Sequence, residues 1–189
     1  MAGKPRILHS NKDMIWSLIP LLAVCALVVV ASGNCSVGLT GGASDDRTPA
    51  FDVTTALRAD ARALPFPVRL PPTPEKWKPN SGSTQPVGGS FVSNAGWVTA
   101  SGAYLQLSQS GGKEEDLVSS IAGDSRVFGA GTREVGGRQW VTYTGDGKKI
   151  WITDLGDVRI GLLSRGPDSE MEQLGSSVLA QQPLPRSPS

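Results

Sequence analysis

A chain of 189 residues with 39% apolar and 19% charged side chains has the balance of one globular domain with tails, not of a disordered protein. Its formal net charge is +1. Lys4, Arg6 and Lys12 against Asp13 place +2 before residue 14 and leave −1 for residues 14–189. The bulk of the chain has no basic excess to neutralise phosphates, which argues against nucleic-acid binding.

Residues 1–13 read as a short cytoplasmic tail. Residues 14–31, "MIWSLIPLLAVCALVVVA", carry no charge. About 18 residues at roughly 1.5 Å each make about 27 Å, close to a bilayer's hydrocarbon thickness, so a transmembrane helix is predicted here. Such a helix tolerates Pro20, and Trp16 fits an interfacial anchor. Basic residues precede the run and the next one after it is Arg47. By the positive-inside rule the N-terminus is cytoplasmic and the remaining chain faces outward. A cleaved signal competes through the small-x-small triplet at 31–33, but the apolar run is longer than a usual signal core. A lipoprotein competes through Cys35, yet Asn34 stands where that pattern needs a small residue. The uncleaved anchor is favoured. Cys35 is then a linker thiol without a role, or a disulfide partner for a second copy in an oxidising compartment.

Residues 32–47 are Gly/Ser/Thr-rich without periodicity and read as a flexible linker, and 181–189 as a Pro-rich disordered tail. The folded domain is expected over 48–180. Thr48 as N-cap, Pro49 at the first helical position and Asp52 near the positive dipole end predict a helix, with Val53, Leu57, Ala61 and Leu64 at helical spacing. Pro65 and Pro67 stop it. The following "RLPPTPEKWKPNSGSTQPV" holds too much Pro for a central strand, and Trp77 pins it to the domain. "GSFVSNAGWVTA" and "AYLQLSQS" flank Ser101-Gly102, a hairpin signal. A helix is predicted over 113–122, acidic in its first turn and ended by Gly123. "VFGAGTREVGG", residues 127–137, reads as a mobile loop, its G-x-G lacking the third Gly of a dinucleotide site. "RQWVTYT", "KKIWITD" and "DVRIGLLS" predict a three-strand antiparallel meander turned at Gly145-Asp146-Gly147. A last helix begins near Pro167 with Met171, Leu174 and Val178 on one face, weakened by Gly175. The class is α+β: a mainly antiparallel sheet with three helices packed on it, preceded by one transmembrane helix.

Chemistry is sparse. The only His is His9 and the only cysteines are Cys25 and Cys35. Ser-His-Asp and Cys-His triads and His/Cys metal sites therefore have no residues to use in the exported domain. An oxygen-only Ca²⁺ site stays open, although no EF-hand spacing occurs. Ser110-x-x-Lys113 matches a penicillin-recognising nucleophile motif, but no K-T-G follows, and two glycines oppose the helix that would align the pair. Ser110 reads as a cap and Lys113 as an exposed side chain. No catalytic residue, metal ligand or cofactor is nominated. Trp97, Tyr104, Trp140, Tyr143 and Trp151 fall on predicted strands, where core packing is the ordinary role and ligand anchoring the other. Trp140 and Tyr143 point to opposite faces by alternation. Arg133, Arg138 and Arg159 are solvated strand residues or anion contacts. The candidate binding residues are Trp97, Trp140 and Arg138.

Several stretches together carry a family resemblance: "KDMIWSLIPLL", "FPVRLPP…KWKP", "GWVTASGAYLQLSQS", "VGGRQW" and "EMEQLGSSVL". The chain resembles the actinobacterial membrane-anchored proteins grouped as domain of unknown function 4245. The resemblance covers most of residues 11–180. It implies a retained N-terminal membrane helix and marks Trp77, Trp97, Gln109 and Trp140 as family positions, and it implies no activity.

The expectation is a non-enzymatic, single-pass membrane protein displaying an α+β binding or scaffolding domain in the bacterial cell envelope. Its partners are the lipid bilayer through residues 14–31 and an envelope protein or component, with the oligomeric state open. The alternatives are a carrier of a small apolar or glycan ligand, and a hydrolase requiring Asp124, Glu134, Asp154 or Asp157 to converge.

Overall fold

Strand-forming segments after residue 77 alternate small or polar residues with large apolar ones, and a sheet that buries both faces in part is the result. The computed structural model describes residues 18–21, 24 and 51–186. The chain divides into two units, Met1–Arg47 and Thr48–Ser189. In the first, residues 18–21 and 24 are helical and exposed. The rest of the predicted membrane run, the basic tail, the linker and Cys35 lie outside the described residues. Among the described residues no helix is long and apolar enough to cross a membrane.

The second unit runs α1 (Val53–Ala63), β1 (Lys78–Val87), β2 (Ser90–Val98), β3 (Tyr104–Ser110), α2 (Glu114–Ala122), β4 (Phe128–Val135), β5 (Arg138–Gly145), β6 (Lys148–Asp154), β7 (Arg159–Ser164) and α3 (Asp168–Ala180). The α+β class holds. All seven strands form one antiparallel sheet in the order β1-β2-β3-β7-β6-β5-β4. The chain leaves β3, crosses one face as α2, enters the far edge as β4, and meanders back to close beside β3.

Period-two alternation splits the core into two layers. Trp97, Leu105, Leu107, Trp140, Trp151, Ile160 and Leu162 face α1 and α3, while Val92, Ile150 and Ile152 face α2. Trp140 and Tyr143 do project to opposite faces. On α2, Ile121 packs where Gly161 leaves room: a Cβ there would lie 2.5 Å from the Ile121 Cδ1.

Three expectations need correction. The first helix starts at Val53 and not at Pro49, because the Asp52 carboxylate takes the cap expected of Thr48: it accepts from the Thr55 N–H at 3.0 Å and the Thr55 hydroxyl at 2.6 Å. That pairing holds the Asp52 pKa below the ordinary carboxylate value. The Pro-rich segment supplies no central strand, as expected, but its end forms β1 at a sheet edge, where Pro79 and Pro86 do no harm to an interior ladder. Residues 128–135 are not a loop but the opposite edge strand, β4. Its glycines give no alternation to read, and its ladder to β5 shifts register between Gly129 and Gly131. The meander therefore has four strands. Residues 181–186 are not a loose tail either: the Leu184 N–H donates to Val68 O at 2.8 Å, and Pro183 bridges to Arg69.

Gly175, which helix propensity marks as a weakness, has a packing reason. A Cβ there would sit 3.3 Å from the Trp140 ring and 3.3 Å from Val135. The helix axis approaches the sheet over the indole because position 175 has no side chain.

Candidate functional site

Trp97 and Trp140 are each 0% exposed, and their indole N–H groups are already used. Trp97 donates to Thr73 Oγ1 at 3.2 Å and Trp140 to Val135 O at 3.1 Å. Neither ring reaches solvent, so both are core anchors and not ligand contacts. Arg138 is exposed at the start of β5. The three nominated residues do not make a joint site.

A polar, uncharged network lies on the α2 side of the sheet, over β1, β2 and β3, beside α2. Cross-strand neighbours there are small, polar and uncharged: Ser81 opposite Gly96, Ser83 opposite Asn94, and Asn94 opposite Ser108. The Gln106 amide donates to Asn94 Oδ1 at 3.1 Å and to Ser108 Oγ at 2.9 Å. Ser108 Oγ in turn donates to Asn94 Oδ1 at 2.7 Å, and the Asn94 amide donates to Ser83 Oγ at 3.2 Å. At the open end the Tyr104 hydroxyl lies 3.0 Å from Ser81 Oγ and donates to Gln106 Oε1 at 3.3 Å. Gly96 is required beneath it, since a Cβ there would collide with the Tyr104 hydroxyl. The Tyr104 side chain remains 39% exposed. It also borders a recess of about 420 Å³ lined with Ala103, Leu163 and Ser164, with Lys148 and Arg165 at its rim. Lys148 is committed, its ammonium donating to Ala122 O at the end of α2 at 2.8 Å.

Chemically this is a fixed array of hydroxyls and carboxamides beside one accessible aromatic ring, anchored from beneath by the fully buried Ser108 and with no formal charge in the network. One Asn94 amide hydrogen and the Ser83 hydroxyl hydrogen have no protein acceptor among the described residues. The sequence signal for it was present as the alternation Tyr104, Gln106, Ser108 against Leu105, Leu107 along β3. An ordinary solvated strand face puts long charged side chains at such positions. Here they are short and neutral.

The opposite face carries an ionic groove of about 360 Å³ around Arg133, for which the sequence offers a solvated strand residue or an anion contact. The Arg133 guanidinium stacks 3.9 Å over the Trp151 ring and pairs with Asp168 at 2.9 Å and Glu172 at 3.2 Å. Lys149 also pairs with Asp168. Two cations meet two carboxylates, so the groove fastens α3 to β4 and β6 and leaves no charge to spare. The Lys149 hydrogen bond first, then both cations' charges, hold the Asp168 pKa below its ordinary value. A depressed carboxylate contributes stability above its unfolded pKa of about 3.9, and that contribution disappears as pH falls through the folded value. Asp168 is 41% exposed, so solvent screening limits the effect to about 1 kcal/mol or less. Asp168→Asn should be destabilised by that amount at pH 7 in urea unfolding, and the gap to wild type should close below about pH 4. A gap of equal size at pH 2.5 would refute the assignment.

The other face has its own tie. The Tyr143 hydroxyl donates to Glu114 at 2.5 Å, and burial together with that acceptor pushes its pKa up to about 12.

A family model described as "Protein of unknown function (DUF4245)" matches residues 6–178, which takes in both the predicted membrane run and almost all of the folded unit. The chain belongs to the DUF4245 family. Neither the curated proteins nor the solved structures yielded a match to it.

In this DUF4245 chain the remaining chemical candidates are occupied or scattered. The Ser110 hydroxyl of the S-x-x-K match is buried, donates to Phe91 O at 2.7 Å and accepts the Gly112 N–H at 3.0 Å, while Lys113 is exposed and pairs with Glu115. Ser110 thus shapes the turn into α2. Asp124 follows α2, Glu134 lies on β4, and Asp154 and Asp157 flank the β6–β7 turn, where Asp154 pairs with Arg159 at 2.8 Å. Among the described residues no group of three or more His, Cys, Asp or Glu side chains is arranged to hold a metal ion.

Proposed function

We propose that this protein is a membrane-anchored, extracytoplasmic binding module of the bacterial cell envelope, without enzymatic activity, and that its ligand is a neutral, hydroxyl-rich envelope component, a glycan. The uncharged network of Ser83, Asn94, Gln106 and Ser108 ending at the exposed Tyr104 ring carries the reading. Sugars present hydroxyl edges and apolar C–H faces. A site for them needs fixed donors and acceptors beside an aromatic surface, and it needs little charge. Support for the anchor is the uncharged run 14–31 with basic residues on one side only. The alternative of a small-molecule carrier draws on the recess beside Tyr104, whose lining is largely apolar.

The test is glycan-array binding by the unit 48–189. Neutral oligosaccharides should be retained, and Tyr104→Ala and Asn94→Ala should each weaken retention at least tenfold, the loss of about 1.4 kcal/mol. Arg138→Ala, on an exposed position outside the network, should bind like wild type. Failure to retain any glycan, or retention indifferent to Tyr104 and Asn94, would remove the proposal.

A further inference from the structure

The face of α1 that turns away from the sheet meets the C-terminal strap, residues 181–186, in a cleft of about 460 Å³ lined by Arg58, Arg62, Leu184, Pro185 and Arg186. Three of its five lining residues are guanidinium-bearing, and no carboxylate lines it among the described residues. Arg58 and Arg62 stand one helical turn apart, so their like charges are neighbours. Asp52, the cap of α1, and Asp60, the acid within it, are committed elsewhere. Asp52 caps the helix on Thr55, although its charge is felt at Arg58, and Asp60 accepts from Thr84 at 2.7 Å and from Ser93 at 2.5 Å on the sheet side. The third arginine is held in place. Arg186 donates from Nη1 to Pro65 O at 3.0 Å, and its strap is pinned by the Leu184–Val68 hydrogen bond and the Arg69–Pro183 bridge.

We infer that this cleft binds a phosphate group. Fork-shaped guanidinium donors match a tetrahedral oxyanion in two-pronged fashion, and a bound dianion or monoanion would relieve the repulsion among the three cations. Leu184 and Pro185 supply apolar surface against which the rest of a phosphate ester can lie. The same chemistry is offered by a phospholipid headgroup and by a soluble phosphate. Net charge hides the site, because the positive patch is local in a chain whose residues 14–189 sum to −1. This inference is independent of the proposed glycan-binding network, which lies on the other face of the sheet.

The experiment uses the full chain in neutral maltoside micelles, titrated separately with inorganic phosphate, dihexanoyl phosphatidylglycerol and uncharged dihexanoylglycerol, with binding followed by calorimetry. A phosphate-bearing probe should bind, its affinity should fall with added salt, and Arg58→Gln/Arg62→Gln should weaken it at least tenfold without changing the thermal midpoint. Arg186→Gln should weaken it as well. Because α1 docks through its own buried Val53, Leu57 and Ala61, the double variant tests the site even if Arg186→Gln loosens the strap. Comparable binding of inorganic phosphate and the phospholipid assigns the site to soluble phosphates, and binding of the phospholipid alone assigns it to headgroups. Absence of binding by both phosphate probes, equal binding of dihexanoylglycerol, or unchanged affinity in the double variant would overturn the inference.

Discussion

Trp140→Ala should cost about 3–5 kcal/mol of unfolding free energy, the range for emptying the site of a large buried ring. The indole is fully buried between β5 and α3, and its N–H satisfies Val135 O at 3.1 Å. Removal therefore opens a cavity and frees a carbonyl in the β4–β5 hairpin. A domain holds about 5–15 kcal/mol in all, so the unit 48–189 carrying this change should melt on the order of 10 °C or more below wild type, or fail to fold. Gly175 supplies an internal check. In wild type a methyl at 175 would press on the ring at 3.3 Å. In the Trp140→Ala background that methyl enters the void, and it adds about 1 kcal/mol of helix propensity. Gly175→Ala should then recover part of the loss, while doing less good alone. Arg138→Ala, two residues from Trp140 and exposed, should change stability by no more than about 0.5 kcal/mol. A Trp140→Ala domain as stable as wild type would contradict the buried assignment.

The fold was legible where side chains report burial by period. β2, β3, β5, β6 and β7 all carry β-branched, Leu or aromatic residues in alternation, and α2 and α3 show apolar stripes closed by Gly123 and opened after Pro167. The two edge strands were not legible. β1 contains Pro79 and Pro86, and β4 is Phe-Gly-Ala-Gly-Thr-Arg-Glu-Val, so neither displays a buried face. Their ladders come from neighbours, and sequence alternation is blind to that. The β4–β5 and β5–β6 turns, at Gly136-Gly137 and Asp146-Gly147, have positive φ at both central residues, the geometry that follows the sheet's twist. For the second turn, the Gly-Asp-Gly sequence announced it. The site followed a different logic. Trp97, Trp140 and Arg138 were nominated because large aromatics and arginine anchor ligands, yet rings of that size are also what fills a core. The strand pattern alone could not say which layer was closed. The network residues were overlooked because Ser, Asn and Gln on a strand look like solvent filler until their cross-strand partners are known. Asn94 lies 11 positions after Ser83 and 14 before Ser108, and only the register brings the three together.

Gln109→Leu should destabilise the unit 48–189 by about 2–5 kcal/mol although the replacement is apolar, similar in size and fully buried. Gln109 is 0% exposed and projects from β3 into the layer of Leu105 and Leu107. There its carboxamide does what a strand would do for a segment that has none. Oε1 accepts the Arg69 N–H at 2.8 Å and Nε2 donates to Arg69 O at 2.8 Å. Within the chain between α1 and β1, the backbone of Arg69 is tied to the sheet by this side chain, as Thr73 is by the Trp97 indole N–H. Leucine fills the space but leaves one donor and one acceptor of the backbone without partners, at about 1–3 kcal/mol each. The loss should also propagate. Arg69 donates from Nε to Gln181 O at 3.0 Å and bridges to Pro183, and Val68 O receives the Leu184 N–H. Hydrogen exchange of the Leu184 amide should therefore accelerate in Gln109→Leu by more than the global destabilisation requires, as the strap detaches before the sheet opens. Gln109→Glu should be no better, since it keeps the acceptor, loses the donor and buries a carboxylate. If Gln109→Leu unfolds at the same urea concentration as wild type with Leu184 equally protected, water satisfies Arg69 in its place, and the segment owes its position to the burial of Phe66 and Val68.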